Sequence, residues 1–181
     1  MQNSLIFIVK TLSDLYLLTY LLRFILQWVR ADYYNPIAQF VLRVTNPLVV
    51  PARRMLPSVG GVDLPTLVVL LVLECAVTWL LLTLYGASTP FLNLLYLALL
   101  RLIMLALWFY AIAILVYVVL SWVGQRHGSP VASLLADIVE PVLRPVRRIL
   151  PPIAGLDLSP LLVLIALQAV IIALPLPPAL R

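Results

Sequence analysis

The sequence predicts an all-α membrane protein with four transmembrane helices in two parallel tandem repeats. Each repeat comprises a span, a cytoplasmic amphipathic helix with a Pro/Arg-rich segment, and a second span. Three observations predict this. First, 64% of the 181 residues are hydrophobic and only 10% are charged, with mean hydropathy +1.13. A soluble domain is about half apolar and a quarter charged, so a chain of this size could not hide that much apolar surface from water. Second, four stretches approach the roughly 20 helical residues that a ~30 Å bilayer core requires. Third, the chain matches itself without a gap at an offset of 94 residues, from Trp28/Trp122 through Leu64/Leu158.

Span one runs from about Ser4 to Val29. It lacks a basic segment before its apolar run and a small-residue cleavage site after it, so it reads as a retained span and not as a signal peptide. Span two covers about 64–85 and is followed by the short turn Gly86, Ala87, Ser88, Thr89, Pro90. Span three runs from about 95 to 123, with Phe91 as its earliest start, and span four covers about 158–174, ended by Pro175. The fourth is short for a full crossing and is expected to thin the bilayer or sit partly inside the bundle. The two repeats are residues 1–90 and 91–181.

Arginines orient the spans. Arg30, Arg43, Arg53 and Arg54 lie between spans one and two; Arg126, Arg144, Arg147 and Arg148 lie between spans three and four. The turn between spans two and three has no basic residue. Both Arg-rich segments are therefore expected in the cytoplasm and both termini outside, in a multi-pass protein of the cell inner membrane. Each repeat has an even number of spans, so the copies enter in the same direction and are expected to be related by a pseudo-two-fold axis along the membrane normal.

The repeat is carried by special residues: Pro36/Pro130, Pro47/Pro141, Pro51/Pro145, the pairs Arg53-Arg54/Arg147-Arg148, Pro57/Pro151, Gly61/Gly155 and Asp63/Asp157. After Asn35-Pro36, the residues Ile37, Phe40, Val41, Val44 and Leu48 fall at helical spacing; their counterparts are Val131, Leu134, Leu135, Ile138 and Val142. That spacing puts one apolar stripe on a helix lying on the bilayer surface. Asn35 and Ser129 are good N-caps, with proline at the first helical position. The prolines four residues apart in NPLVVPARRMLP and EPVLRPVRRILP forbid a regular helix through the whole stretch, so a kinked or broken segment is expected there. Asp63 and Asp157 are expected to cap spans two and four.

This doubled pattern of an N/S-P helix, P-x-x-x-P-x-R-R-x-[LM]-P, a glycine and an Asp-Leu cap resembles the YggT family, also called YlmG, in its two-copy proteobacterial form. The cap reads Asp63-Leu64-Pro65 in the first copy and Asp157-Leu158-Ser159-Pro160 in the second, so the first lacks the serine. The resemblance covers nearly the whole chain. It implies an inner-membrane or thylakoid protein linked to osmotic-stress tolerance, to cell-division or nucleoid organisation, or to assembly of a cytochrome complex. It brings no agreed molecular activity. Single-copy members imply that one unit can work as an oligomer, so a homo-oligomer is compatible.

Four sets of residues stand out. Glu74 lies ten residues into span two, where an ionisable group is costly and faces the bundle interior; its counterpart is Gln168. It reads either as an ion or proton site or a contact with a buried cofactor, or as a protonated Glu or a structural hydrogen bond between helices. Arg101 in span three sits at the same depth and could neutralise it, Arg23 is expected to snorkel toward the cytoplasmic face, and Lys10 and Asp14 are spaced to pair on one helix. The pairs Arg53-Arg54 and Arg147-Arg148 read either as anchors to anionic lipid headgroups or as a docking surface for another inner-membrane protein. Trp28 and Trp122 fit an interfacial belt.

With net charge +5 the chain is basic, but its basic residues flank spans, so lipid and not nucleic acid is the expected partner. Cys75 is the one cysteine, which leaves no intrachain disulfide. His127 is the one histidine and reads as a surface residue. The sequence holds no zinc-type His/Cys spacing, no serine with a base, and no glycine-rich phosphate loop. No enzyme chemistry, metal or cofactor is expected. Two functions remain in view: a non-catalytic protein supporting other membrane machinery, and a small oligomeric ion channel or transporter working through Glu74.

Overall fold

The computed structural model describes residues 2–58, 61–123, 129–150 and 157–180. These form six helices and no strand: α1 (Gln2–Trp28), α2 (Pro36–Met55), α3 (Leu64–Leu84), α4 (Phe91–Val123), α5 (Pro130–Ile149) and α6 (Ser159–Ala173), with a last 3₁₀ turn at Pro178–Leu180. His127, Arg126, Pro151 and Gly155, singled out above, lie outside the described residues.

Three helices are long and apolar enough to cross a membrane: α1, α3 and α4. The fourth apolar helix, α6, has 15 residues, about 22 Å at 1.5 Å per residue, short of a ~30 Å core. Leu174 stops it in extended backbone, just before Pro175. Helix bounds follow local chemistry. Asn35 Oδ1 accepts from the Ile37 N–H at 2.9 Å, and Pro36 takes the first position of α2. Ser129 occupies the equivalent place before α5 without a side-chain cap bond. At the end of α3, Gly86 (φ 71°) turns left-handed, so that Gly86 N donates to Thr83 O and Ala87 N to Leu82 O. The end of α1 closes the same way, with Arg30 N donating to Gln27 O and Ala31 N to Leu26 O. There the left-handed position is held by Arg30 (φ 55°), a side chain where glycine is favoured.

The expected break in the Pro/Arg segments does not occur. Both α2 and α5 run unbroken through their internal prolines, Pro47 and Pro51, Pro141 and Pro145. The four rings lie on the exposed side of their helices. The carbonyls they leave without an N–H partner, those of Arg43, Pro47, Asp137 and Pro141, belong to exposed residues and can be hydrated. The face that each helix buries against protein is distinct from the apolar stripe read from the sequence. In α2 it is Ala38, Val41, Thr45 and Val49, while Phe40 and Leu48 are exposed; in α5 it is Ala132, Leu134, Ile138, Val139 and Leu143, with Val131 exposed. The narrower residues of α2 face inward because the helix packs against protein, on α1 and α3.

The packing is a chain of neighbours. α1 lies along α3, α3 along α4, and α1 also meets α4; α2 covers α1 and α3, and α5 covers α4 and α6. α2 and α5 touch each other, and Asn35 Nδ2 donates to Pro130 O across that contact at 2.6 Å. One core cluster fills the α1–α2–α3 side and takes Leu134 and Ile138 from α5. A second, with Ile6, Leu81, Leu97 and Ile171, closes the end opposite α2 and α5, and a third joins α4, α5 and α6.

Candidate functional site

Two polar constellations remain once the apolar packing is removed. One lies where α2 and α5 end. Arg53 Nη2 donates to Asp63 Oδ2 at 2.8 Å, and Arg147 Nε donates to Asp157 Oδ2 at 2.8 Å. Each link joins the last turn of an Arg-rich helix to the start of the next apolar helix, across ten residues in both cases. Thr66 Oγ1 also donates to Asp63 Oδ2, at 2.6 Å. The two aspartates stand differently at their helix starts. Asp63 stands at the N-cap of α3 but makes no side-chain bond to a backbone N–H; Arg53 and Thr66 both bond its Oδ2, and its buried Oδ1 has no partner among the described residues. Asp157, two residues before α6, does accept a backbone N–H, that of Ser159, at 2.9 Å.

The two clasps differ in solvation. The Asp63 side chain is wholly buried, whereas Asp157 and Arg147 are each about a third exposed. Burial pushes the Asp63 carboxyl up, but the bonds from Thr66 and Arg53 and the charges of Arg53 and Arg23 outweigh it and hold it below the ordinary carboxylate range. Asp157 is likewise held low against the effect of burial, by the Ser159 N–H and by Arg147. Arg147 also bonds Glu140. Arg53 and Arg147 are therefore occupied within the chain. Their neighbours Arg54 and Arg148 are exposed, with no side-chain partner among the described residues. Arg23 does not snorkel: it is 3% exposed and donates through Nη1 to Thr45 Oγ1 at 2.7 Å and Asn46 Oδ1 at 2.8 Å. The small and polar face that α2 turns to α1 gives it acceptors inside the protein.

The second constellation lies among the long helices. Arg101 Nη1 is 3.0 Å from Glu74 Oε1 and donates to Thr78 Oγ1 at 3.2 Å, while Arg101 Nη2 donates to Asp14 Oδ1 at 2.6 Å. Lys10 Nζ lies 3.5 Å from Asp14 Oδ2. The side chains of Glu74 and Arg101 are 1% and 4% exposed, those of Lys10 and Asp14 24% and 28%. A cavity of about 190 Å³ opens beside them, with Met104 and Trp108 in its wall. The depth match between Glu74 and Arg101 was legible in the sequence; the part of Asp14 was not, because its i, i+4 spacing to Lys10 suggested a local pair. Gln168 is not brought to this cluster. It lies on the exposed side of α6, since α6 packs on α4 and α5 and forms no comparable seam with α1. Among the described residues, no three His, Cys, Asp or Glu side chains gather as a metal site.

Comparison with known proteins adds to this geometry. The family model described as CCB3/YggT matches residues 2–85 and again 96–177. The chain belongs to the CCB3/YggT family. An uncharacterized Pseudomonas aeruginosa protein is 42% identical over 172 residues, 94% of this chain and 87% of that protein. The Escherichia coli protein YggT is 35% identical over 173 residues, 93% of this chain and 88% of its own length. The Guillardia theta protein ycf19 is 40% identical over 63 residues, 34% of this chain but 68% of ycf19, so that relative is about half as long. No solved structure matches.

Proposed function

We propose that this family member is a non-catalytic, four-pass inner-membrane protein that supports the assembly, positioning or stability of other membrane machinery. The repeated clasp carries this reading. The Arg53–Asp63 and Arg147–Asp157 links fasten α2 and α5 to the helices that follow them. Arg54 and Arg148 are left exposed at corresponding places, with Arg43 and Arg144 exposed on the same two helices. Lipid anchoring alone does not require the arginines to be held on rigid elements, whereas docking a protein does. Two family-model matches in one chain, beside a relative of half the length, favour a duplicated unit with 1–90 and 91–181 as its copies. The Arg-rich helices are placed in the cytoplasm on charge grounds. Osmotic-stress tolerance or cell-division organisation is the setting that the family resemblance suggests.

The test separates the two kinds of arginine. Co-purification from cross-linked native membranes is compared between wild type and the double variant Arg54→Gln with Arg148→Gln, in which both clasps remain. Enrichment of a defined protein that is lost in the variant at equal membrane abundance supports docking. Equal recovery in both, or no enrichment, reduces these arginines to headgroup anchors. A channel or transporter working through Glu74 is the weaker reading: Glu74 is held by Arg101 and Thr78, and Gln168 faces away. Ion flux in proteoliposomes that is abolished by Glu74→Ala would reinstate it.

A further inference from the structure

The cavity beside Lys10, Asp14, Glu74 and Arg101 lies where α1 meets α4, and these are counterpart helices of the two copies. Its wall holds two pairs of counterpart positions: Lys10 with Met104 and Asp14 with Trp108, each separated by the repeat offset. A single cavity lined by both members of two such pairs lies at the junction of the copies. Sites at repeat interfaces within the membrane are where parallel-repeat proteins place ligands.

The two sides of this junction have diverged. The first copy supplies an ammonium and a carboxylate, and the second supplies a thioether and an indole at the matching positions. Glu74 and Arg101 likewise correspond to the uncharged Gln168 and Phe7. Three charges of the first copy and Arg101 of the second gather at this junction, in a medium where each is costly, and Lys10 and Asp14 remain partly exposed beside the cavity.

We infer that this cavity binds a small zwitterion. The lining charges, two positive and two negative, sum to zero, so a ligand of net charge would leave the buried cluster unbalanced, whereas a zwitterion would not. Both ends have a place. Lys10 has three N–H donors and, among the described residues, one partner at 3.5 Å, which leaves donors for a carboxylate or phosphate. Asp14 is partly exposed, and the Trp108 indole in the same wall adds the aromatic surface that attracts an ammonium group. Glu74 and Arg101 are buried behind and hold Asp14 in place through Arg101 Nη2. A volume of about 190 Å³ admits a molecule of amino-acid or betaine size, or the zwitterionic headgroup of a phospholipid.

The experiment is calorimetric titration of the full chain in nanodiscs of anionic lipid with glycine betaine, and with choline and acetate as single-charge controls. Saturable betaine binding at least ten-fold tighter than either control is expected. It should fall ten-fold or more in Lys10→Met, which installs the second copy's residue, and persist in Lys10→Arg. Trp108→Leu, which leaves all four charges, should weaken it comparably and covers the case in which Lys10→Met does not fold. Repeating the titration with phosphatidylethanolamine in the disc separates the sources. Suppression marks a lipid headgroup as occupant and undiminished binding marks a free solute, and both support the site. No saturable binding, choline or acetate binding as tightly as betaine, or affinity unchanged in Lys10→Met and Trp108→Leu overturns it.

Discussion

Arg30 is the one non-glycine residue at positive φ in the described backbone. It closes α1 in a left-handed turn, and the sequence places Gly124 at the same repeat position. A side chain there costs about 1 kcal/mol relative to glycine. Arg30→Gly is therefore expected to raise the midpoint of thermal unfolding in detergent by about 2–4 °C, the shift that ~1 kcal/mol produces in a chain of this size. The strain was hidden from sequence reasoning, which took Arg30 only as a topology signal. At Arg101 the opposite outcome is expected. Arg101→Met removes the one cation touching both Asp14 and Glu74, and an uncompensated buried carboxylate costs about 3–5 kcal/mol. Adding Glu74→Gln to Arg101→Met should restore part of the lost stability in the same assay, because the stranded charge then disappears. A double variant less stable than the single one would show that Glu74 does not depend on Arg101.

At the level of elements, helix positions were largely legible in the sequence, because length and hydropathy place the apolar helices and Asn-Pro and Ser-Pro mark the starts of α2 and α5. The continuity of α2 and α5 was not legible. A proline rule applied to the chain alone cannot know that both rings face outward, where the freed carbonyls meet water. The clasps were half legible: the Asp residues were recognised as helix starts, but their arginine partners depend on where a helix ten residues upstream ends. The solvation of the two clasps sets their weights. Arg53→Ala strands the wholly buried Asp63; with Arg53 itself 44% exposed, solvent screening reduces the cost to about 2 kcal/mol. Arg147→Ala acts on groups about a third exposed and is expected to cost about 1 kcal/mol or less. Comparing unfolding midpoints of the two variants tests this order. Acid acts on both clasps with the same sign. Asp63 and Asp157 are held below their ordinary values, so the stability they give is fully present above the unfolded carboxylate value of about 3.9 and is lost as pH falls through the still lower folded values. Acid unfolding below about pH 4 should accordingly be shallower in Asp157→Asn than in wild type.

At the scale of the molecule, the two stretches that the family model matches, 2–85 and 96–177, are alike in local pattern and unlike in assembly. α3 runs along α4, but α6 has no matching seam with α1; there Ile6 meets Ile171 and the Leu176 and Leu180 that follow α6. That asymmetry is absent from the sequence repeat, which counts matching residues and not the faces they are turned to. The halves are joined by the α3–α4 seam, the α1–α4 and α2–α5 contacts, two shared apolar clusters, the Asn35–Pro130 bond and the Arg101 links to Asp14 and Glu74. None of these needs a covalent connection. The turn that joins α3 to α4 is short and largely exposed at Gly86, Ala87 and Ser88, the kind of site where a chain break is tolerated. Residues 1–87 and 88–181 co-expressed as separate chains are thus expected to co-purify in mild detergent. Arg101→Met in the second fragment should reduce recovery of the first several-fold, since Arg101 is the second half's charge on two acids of the first. Wild-type fragments that fail to co-purify would mean that the linker, and not this interface, holds the copies together. Recovery unaffected by Arg101→Met would place the holding strength in the apolar seam.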